Sequence, residues 1–257
     1  MNENRFLHRL VLITGTTSGI GAALTDLYLK KGARVIAVNR AGAVPAKQNL
    51  VAYQADVREG EQVHDLFDWL SEKALYPDLF ILNAGIHRVD NGEIFAYRDF
   101  EDVMDTNLNA VLRFVAEGLA LKREGRRTFV AVSSTSNILP NPHCLGYYIS
   151  KLGLTKSFEV FREKHRSNGF EFKTLILGPI RTKMLGVGPM ASPLQTFVRD
   201  AISVPAEEAA GAIVRFIESN KPVFNYTFKS HAVFHLARLV KTLIPKIYTG
   251  SLPTARK

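Results

Sequence analysis

Cysteine is almost missing from this chain. One residue, Cys144, in 257 excludes an intramolecular disulfide framework and a cysteine-rich metal site. The seven histidines form no His/Cys/carboxylate cluster at metal-ligand spacing, so no metal is expected. No uninterrupted apolar run approaches the ~20 residues of a membrane-spanning helix. The opening fourteen residues hold a short apolar run without a signal-peptide cleavage pattern, and a cytoplasmic protein is expected. Acidic residues are also missing from one stretch: 221–257 carries seven Lys/Arg and no Asp or Glu, within a chain of net charge +9. The other 220 residues are close to neutral, with 26 basic against 24 acidic side chains. The basic excess therefore belongs to a tail. No aromatic-interleaved basic motif or helix-turn-helix pattern accompanies it, so no nucleic-acid partner is expected.

What is present reads as an ordinary globular chain, 46% hydrophobic and 22% charged. Apolar runs at Arg9–Thr14, Arg34–Val38, Leu50–Gln54, Leu79–Leu82, Thr128–Ser133, Lys173–Leu177 and Val223–Phe228 alternate with amphipathic helical stretches. The helical stretches are Ile20–Lys31, Glu61–Ala74, Tyr97–Arg123, Leu145–His165 and Ala206–Ser219, the last with Ser203 as its expected cap. Most runs are apolar continuously rather than alternately, which suits strands covered on both faces. Strand–helix alternation predicts right-handed crossovers and a single doubly wound α/β domain, a mostly parallel sheet of about seven strands with helices on both faces. No Pro/Gly/Ser linker divides it. The body of the domain is assigned to 1–228, with a loop or lid at 179–204, and 229–257 to the basic tail.

The first strand runs directly into Thr14-Gly15-Thr16-Thr17-Ser18-Gly19-Ile20-Gly21 and then a helix. Glycines there let the backbone approach a pyrophosphate, and the free N–H groups of the helix start bind the anion. After the second strand come Asn39 and Arg40, where an acid would accept hydrogen bonds from an adenosine ribose. Asn39 stands in its place, and Arg40 suits a 2′-phosphate. NADP(H) is therefore expected over NAD(H); the plain alternative is an exposed loop arginine.

Tyr147 and Lys151 lie four residues apart on one helix face. A phenol, with a reference pKa near ~10, is a poor base at neutral pH unless a neighbouring cation favours the phenolate. Ser134 ends a strand thirteen residues earlier, where its hydroxyl can bond a substrate carbonyl. Tyr148 is a weaker candidate, because its i+4 partner is Leu152.

Together these residues resemble the short-chain dehydrogenase/reductase family, in order along almost the whole chain. The turn Thr14–Gly21 is similar to its TGxxxGIG, and Asp56-Val57 resembles its adenine-contacting pair. Asn83-Ala84-Gly85 is similar to its NAG motif, with Leu82 where an Asn is common. Asn107 falls at its catalytic Asn, and Ser134, Tyr147 and Lys151 at its Ser and YxxxK. Gly178–Thr182 resembles its PGxxxT loop, with Leu177 in place of the usual Pro. The resemblance implies a Rossmann-type fold and a hydride transfer between a nicotinamide and a carbonyl or alcohol. It implies Tyr147 as acid or base, Lys151 lowering its pKa and holding the nicotinamide ribose, Ser134 polarising the carbonyl, and Asn107 joining a proton relay through its backbone and a water. It implies cofactor contacts from Gly15, Thr17, Ser18, Gly19, Ile20 and Gly21; from Asn39, Arg40, Asp56 and Val57; from Asn83, Ala84 and Gly85; and from Pro179, Ile180 and Thr182. A homodimer or homotetramer is expected by the same analogy.

Other residues carry two readings each. His87 and Arg88 line the substrate cleft or are surface loop residues. Cys144, near His143, is expected to be a small pocket or core residue, and Trp69 with Phe67 and Leu70 core packing. Met184, Leu185, Val187, Met190 and Leu194 suggest an apolar lid over a hydrophobic substrate, while Arg181 and Lys183 suit an anionic one. In the tail, Val233, Leu236, Val240, Leu243 and Ile247 recur at helical spacing. That stripe suits a docked helix or an interfacial helix touching anionic lipid through 231–247. A non-catalytic nucleotide-binding sensor or scaffold, and an epimerase or dehydratase, are the competing functions.

Overall fold

The computed structural model describes residues 9–42, 47–89, 96–122, 125–137, 144–186 and 203–226. Seven parallel strands form one sheet: β1 (Leu10–Thr14), β2 (Arg34–Asn39), β3 (Leu50–Gln54), β4 (Leu79–Leu82), β5 (Arg127–Ser134), β6 (Phe170–Leu177) and β9 (Val223–Tyr226), in the spatial order β3-β2-β1-β4-β5-β6-β9. The expected doubly wound sheet is thus observed. Its order reverses between β1 and β4, which are paired from Val11↔Leu79 to Ile13↔Ile81. A crevice opens beyond the strand ends at such a reversal. A two-residue pair, β7 (Ile180–Arg181) with β8 (Val204–Pro205), lies outside the main sheet. It is too short to show as a hydrophobic run.

The helices are α1 (Gly19–Lys30), α2 (Gly60–Glu72), α3 (Tyr97–Met104), α4 (Ala110–Ala120), α5 (Leu145–Lys164) and α6 (Ala206–Ile217). Strand residues alternate between two cores. Leu12, Ile36, Phe80 and Phe129 pack with α2, α4 and α5, whereas Val11, Ile13, Ile81 and Leu175 pack with α1 and α6. Both faces are buried because helices cover both, and that is why the central strands read as continuous apolar runs. Trp69 packs against the first core, tilted on Tyr53 at 5.1 Å.

Two expectations are corrected. The stretch Tyr97–Arg123 is not one regular helix: a π-helical turn, Asp105–Asn109, separates α3 from α4, and α4 ends at Ala120. Helical periodicity cannot register one extra residue in a turn. Ser203 does not cap α6. Pro205 occupies the cap in extended conformation, consistent with its fixed φ and missing N–H. Cations buried in the sheet tie down helix ends instead. The Arg127 guanidinium donates to the carbonyls of Gly118 and Leu121, the latter at 2.7 Å, closing the end of α4. Lys173, fully buried, donates to Ser219 and Lys221 carbonyls just after α6 and pairs with Glu171 at 3.1 Å.

Among the described residues no helix is long and apolar enough to cross a membrane. The expectations for Val187–Leu194 of the lid, for His143 and for the tail lie outside the described residues. At the centre of the first core Phe129 stacks between Phe80 at 4.8 Å and Phe172 at 5.2 Å. Phe129→Ala is expected to lower stability by about 3–5 kcal/mol, measured by urea unfolding.

Candidate functional site

The glycine turn joins β1 to α1 at the reversal point and is held against the end of β4. Thr14 Oγ1 accepts from the backbone N–H of Asn83 and Ala84, both at 3.0 Å. The Asn83 amide donates back to the carbonyls of Thr14 and Gly15 at 3.0 and 3.1 Å. The approach is close enough to require glycine. A Cβ on Gly21 would sit 2.1 Å from the Gly15 carbonyl oxygen, and Gly15 itself has φ +72°. Ser18 precedes α1 in extended conformation without a side-chain cap bond, so the first amides of α1 are available to an anion.

A cleft of about 640 Å³ runs over this turn and the strand ends. Every expected cofactor residue except the buried Gly21 lines it, as do Ser134, Tyr147 and Lys151. At one end lie Asn39, Arg40 and Asp56. Asn39 is buried; its Nδ2 donates to Thr16 Oγ1 at 3.3 Å and its Oδ1 has no donor among the described residues. An unpaired buried amide oxygen there fits an adenosine ribose hydroxyl. Arg40 is exposed, and among the described residues no carboxylate lies within ion-pair distance of it. Asp56 is engaged by Arg58, through Nη2 at 2.8 Å and Nε at 3.1 Å, and the resulting hydrogen bonds hold its carboxyl below the usual range. Arg58 reaches on to Asp102 of α3 at 3.1 Å. Sequence reasoning missed Arg58; its position two residues after Asp56 was the available signal.

At the other end, β5 and α5 bring Ser134, Tyr147 and Lys151 together. Lys151 is buried, and its Nζ donates to the Val132 carbonyl at 2.7 Å and lies 5.6 Å from the centre of the Tyr147 ring. Burial pulls its pKa down to about 8. Burial pushes Tyr147 above the ordinary phenol value; a hydrogen bond with Ser134 opposes this, and Cys144 adds a smaller upward push. Ser134 Oγ also accepts from the Ser136 amide at 3.1 Å.

Asn107 is fully buried in the π-helical turn. Its Oδ1 accepts from Ile86 N at 2.8 Å, and its Nδ2 donates to Ile86 O at 2.9 Å and to Ser150 Oγ at 3.2 Å. The side chain is consumed in pinning the loop after β4. His87, the next residue on that loop, packs its ring edge-on against Tyr147, with centroids 4.9 Å apart. Cys144 is buried at the start of α5. Thr182, Lys183 and Met184 line the cleft beyond β7, Met184 with 38% of its surface exposed.

A family model described as short chain dehydrogenase matches residues 9–188. The chain is 28% identical over 239 residues to chlorophyll(ide) b reductase NOL, chloroplastic, of Oryza sativa subsp. japonica, covering 83% of this chain and 69% of that protein. It is 25% identical over 186 residues to 3beta-hydroxysteroid dehydrogenase 1 of Eggerthella lenta, covering 68% and 71%. In fold it is similar to a short chain dehydrogenase from Burkholderia cenocepacia solved in complex with NADP, with TM-score 0.78, 20% identity, and 93% and 98% of the two chains covered.

Gly21→Ala forces the turn off β4, a backbone strain of about 1–3 kcal/mol, and dinucleotide affinity should fall roughly tenfold or more in a fluorescence titration. Unchanged affinity would contradict the assignment of the turn.

Proposed function

The chain belongs to the short-chain dehydrogenase family and is an NAD(P)-dependent oxidoreductase of CH–OH and C=O groups; from that premise we propose that it moves hydride between NADP(H) and a carbonyl or secondary-alcohol substrate, with Tyr147 as the acid/base. The observation that carries this reading is the meeting of Tyr147, Ser134 and Lys151 at one end of a cleft whose other end is the glycine turn. The nicotinamide, when bound, supplies or accepts the hydride. Tyr147 is protonated at neutral pH, because burial favours the neutral phenol; it gives its proton to the carbonyl oxygen in reduction and takes one in oxidation. Ser134 donates to the same oxygen and fixes its position. Lys151 holds the nicotinamide ribose hydroxyls and carries a proton up to about pH 8. The π-helical turn displaces backbone hydrogen bonding by one residue, which supports a relay through the backbone around Asn107, whose side chain is already engaged.

The preference for NADP(H) rests on Arg40. It is a guanidinium at the cleft mouth without a carboxylate partner among the described residues, next to an asparagine where an acid would repel a 2′-phosphate. Met184 at the lip supports an apolar portion in the substrate. A non-catalytic sensor would need neither the buried lysine nor the paired tyrosine and serine. The exposed Val160 on α5 supports a homodimer or homotetramer through the long helices.

Tyr147→Phe is expected to bind NADPH normally and lose about 10²–10⁴-fold in turnover, followed by NADPH absorbance over a panel of ketones, acyl thioesters, sugars and steroids. Arg40→Ala is expected to narrow the ratio of NADPH to NADH affinity by about tenfold or more, the value of a charge-assisted hydrogen bond. Equal affinities in the unaltered protein would refute the Arg40 reading.

A further inference from the structure

His87 stands beside the acid/base tyrosine in a setting that the mechanism above does not use. Its backbone is anchored, since both the amide and the carbonyl of the preceding Ile86 are held by Asn107 at 2.8 and 2.9 Å. Its half-buried ring lines the same cleft and meets the Tyr147 ring edge-on at 80°. The two ring nitrogens are not equivalent. Nδ1 is fully buried and has no hydrogen-bond partner among the described residues. Nε2 is not among the buried unpaired atoms, and no described residue bonds it, so it is the nitrogen open to the cleft.

This asymmetry fixes the protonation. An imidazolium would leave a charged N–H on Nδ1 in a dry site without an acceptor. The charged groups nearby discourage it further: Lys151 from α5 sits against the same tyrosine ring, and Arg88 follows on the same loop, its guanidinium directed to Asp99 and Asp102 of α3 at 3.9 and 3.8 Å. Burial accordingly lowers the His87 pKa. In the neutral ring, a proton on Nδ1 would be a buried, unpaired donor, which is the rarer and costlier kind of orphan. The proton therefore belongs on Nε2, facing the cleft.

We propose that His87 presents a fixed Nε2–H donor next to Tyr147, and that the substrate carries a second acceptor oxygen one or two carbons from its reacting carbonyl, as in a vicinal dicarbonyl or a 3-oxo ester. The inference rests on the reading that Tyr147 and Ser134 hold the reacting oxygen. Those two hydroxyls engage both lone pairs of that oxygen, so a third donor at this distance needs another acceptor. An isolated ketone leaves the donor unpaired once the cleft is filled, and sites built around a hydrogen bond reject ligands that lack it.

The test compares NADPH-dependent reduction of butane-2,3-dione and ethyl 3-oxobutanoate with that of butan-2-one, in the unaltered protein, His87→Phe and His87→Gln. Phenylalanine keeps a ring against Tyr147 and removes the donor; glutamine returns an N–H. The ratio of unaltered to variant kcat/KM cancels the intrinsic reactivity of each probe. For the dicarbonyls, His87→Phe is expected to lower kcat/KM roughly tenfold with butan-2-one little changed, and His87→Gln to recover much of the loss. A similar loss on both classes, or none, overturns the inference while leaving the role of Tyr147 to its own variant. Imidazole ¹⁵N shifts in the NADPH-bound protein, assigned against His87→Phe, decide independently of any substrate. They should report a proton on Nε2 alone at pH 7, and an Nδ1–H tautomer or an imidazolium overturns the proposal.

Discussion

The clasp between the glycine turn and the end of β4 is the contact on which the rest of the site depends. Thr14 and Asn83 exchange hydrogen bonds across the point where the sheet order reverses. The same backbone closeness excludes a side chain at Gly21. This contact aims the start of α1 at the cleft and places Ala84 and Gly85 as its floor. From there the chain passes Ile86, clamped by Asn107, to His87 and the face of Tyr147. The two ends of the cleft are thus joined by a few part-buried hydrogen bonds, the kind of link that preorganises a site.

Electrostatically the two ends differ. At the end proposed for the adenosine, Asp56, Arg58 and Asp102 form an ion network beside the exposed Arg40 and an Asn39 Oδ1 that has no donor among the described residues. At the chemical end burial works against charge on both Tyr147 and Lys151. Burial favours the neutral phenol of Tyr147, and Lys151 donates to the Val132 carbonyl. A site of this kind keeps proton transfer between a few named groups and away from bulk water.

The sequence disclosed what is local. The turn Thr14–Gly21, the Tyr147/Lys151 spacing and the continuous apolar strands each fall within one short segment, and helix or strand periodicity turns them directly into geometry. What it concealed depends on contacts between distant segments. The Val132 carbonyl that receives Lys151, and His87 meeting Tyr147 across sixty residues, have no periodic signature. Neither does the π-helical turn around Asn107, whose single extra residue leaves the apolar pattern almost unchanged. Arg127 and Lys173 were invisible for a related reason: a cation in a strand reads as an exposed residue until the helix-end carbonyls around it are seen.

Proton exchange by a half-buried tyrosine in partnership with a buried lysine is the central claim, and the pH dependence of alcohol oxidation tests it most directly. With Tyr147 as the base, kcat/KM for oxidation should climb with pH to a plateau. The apparent pKa of that rise belongs to the coupled pair. Replacing Lys151 with Met should move the rise upward by about one unit or more. A profile that is flat, or one left in place by the Lys151 replacement, would contradict the account.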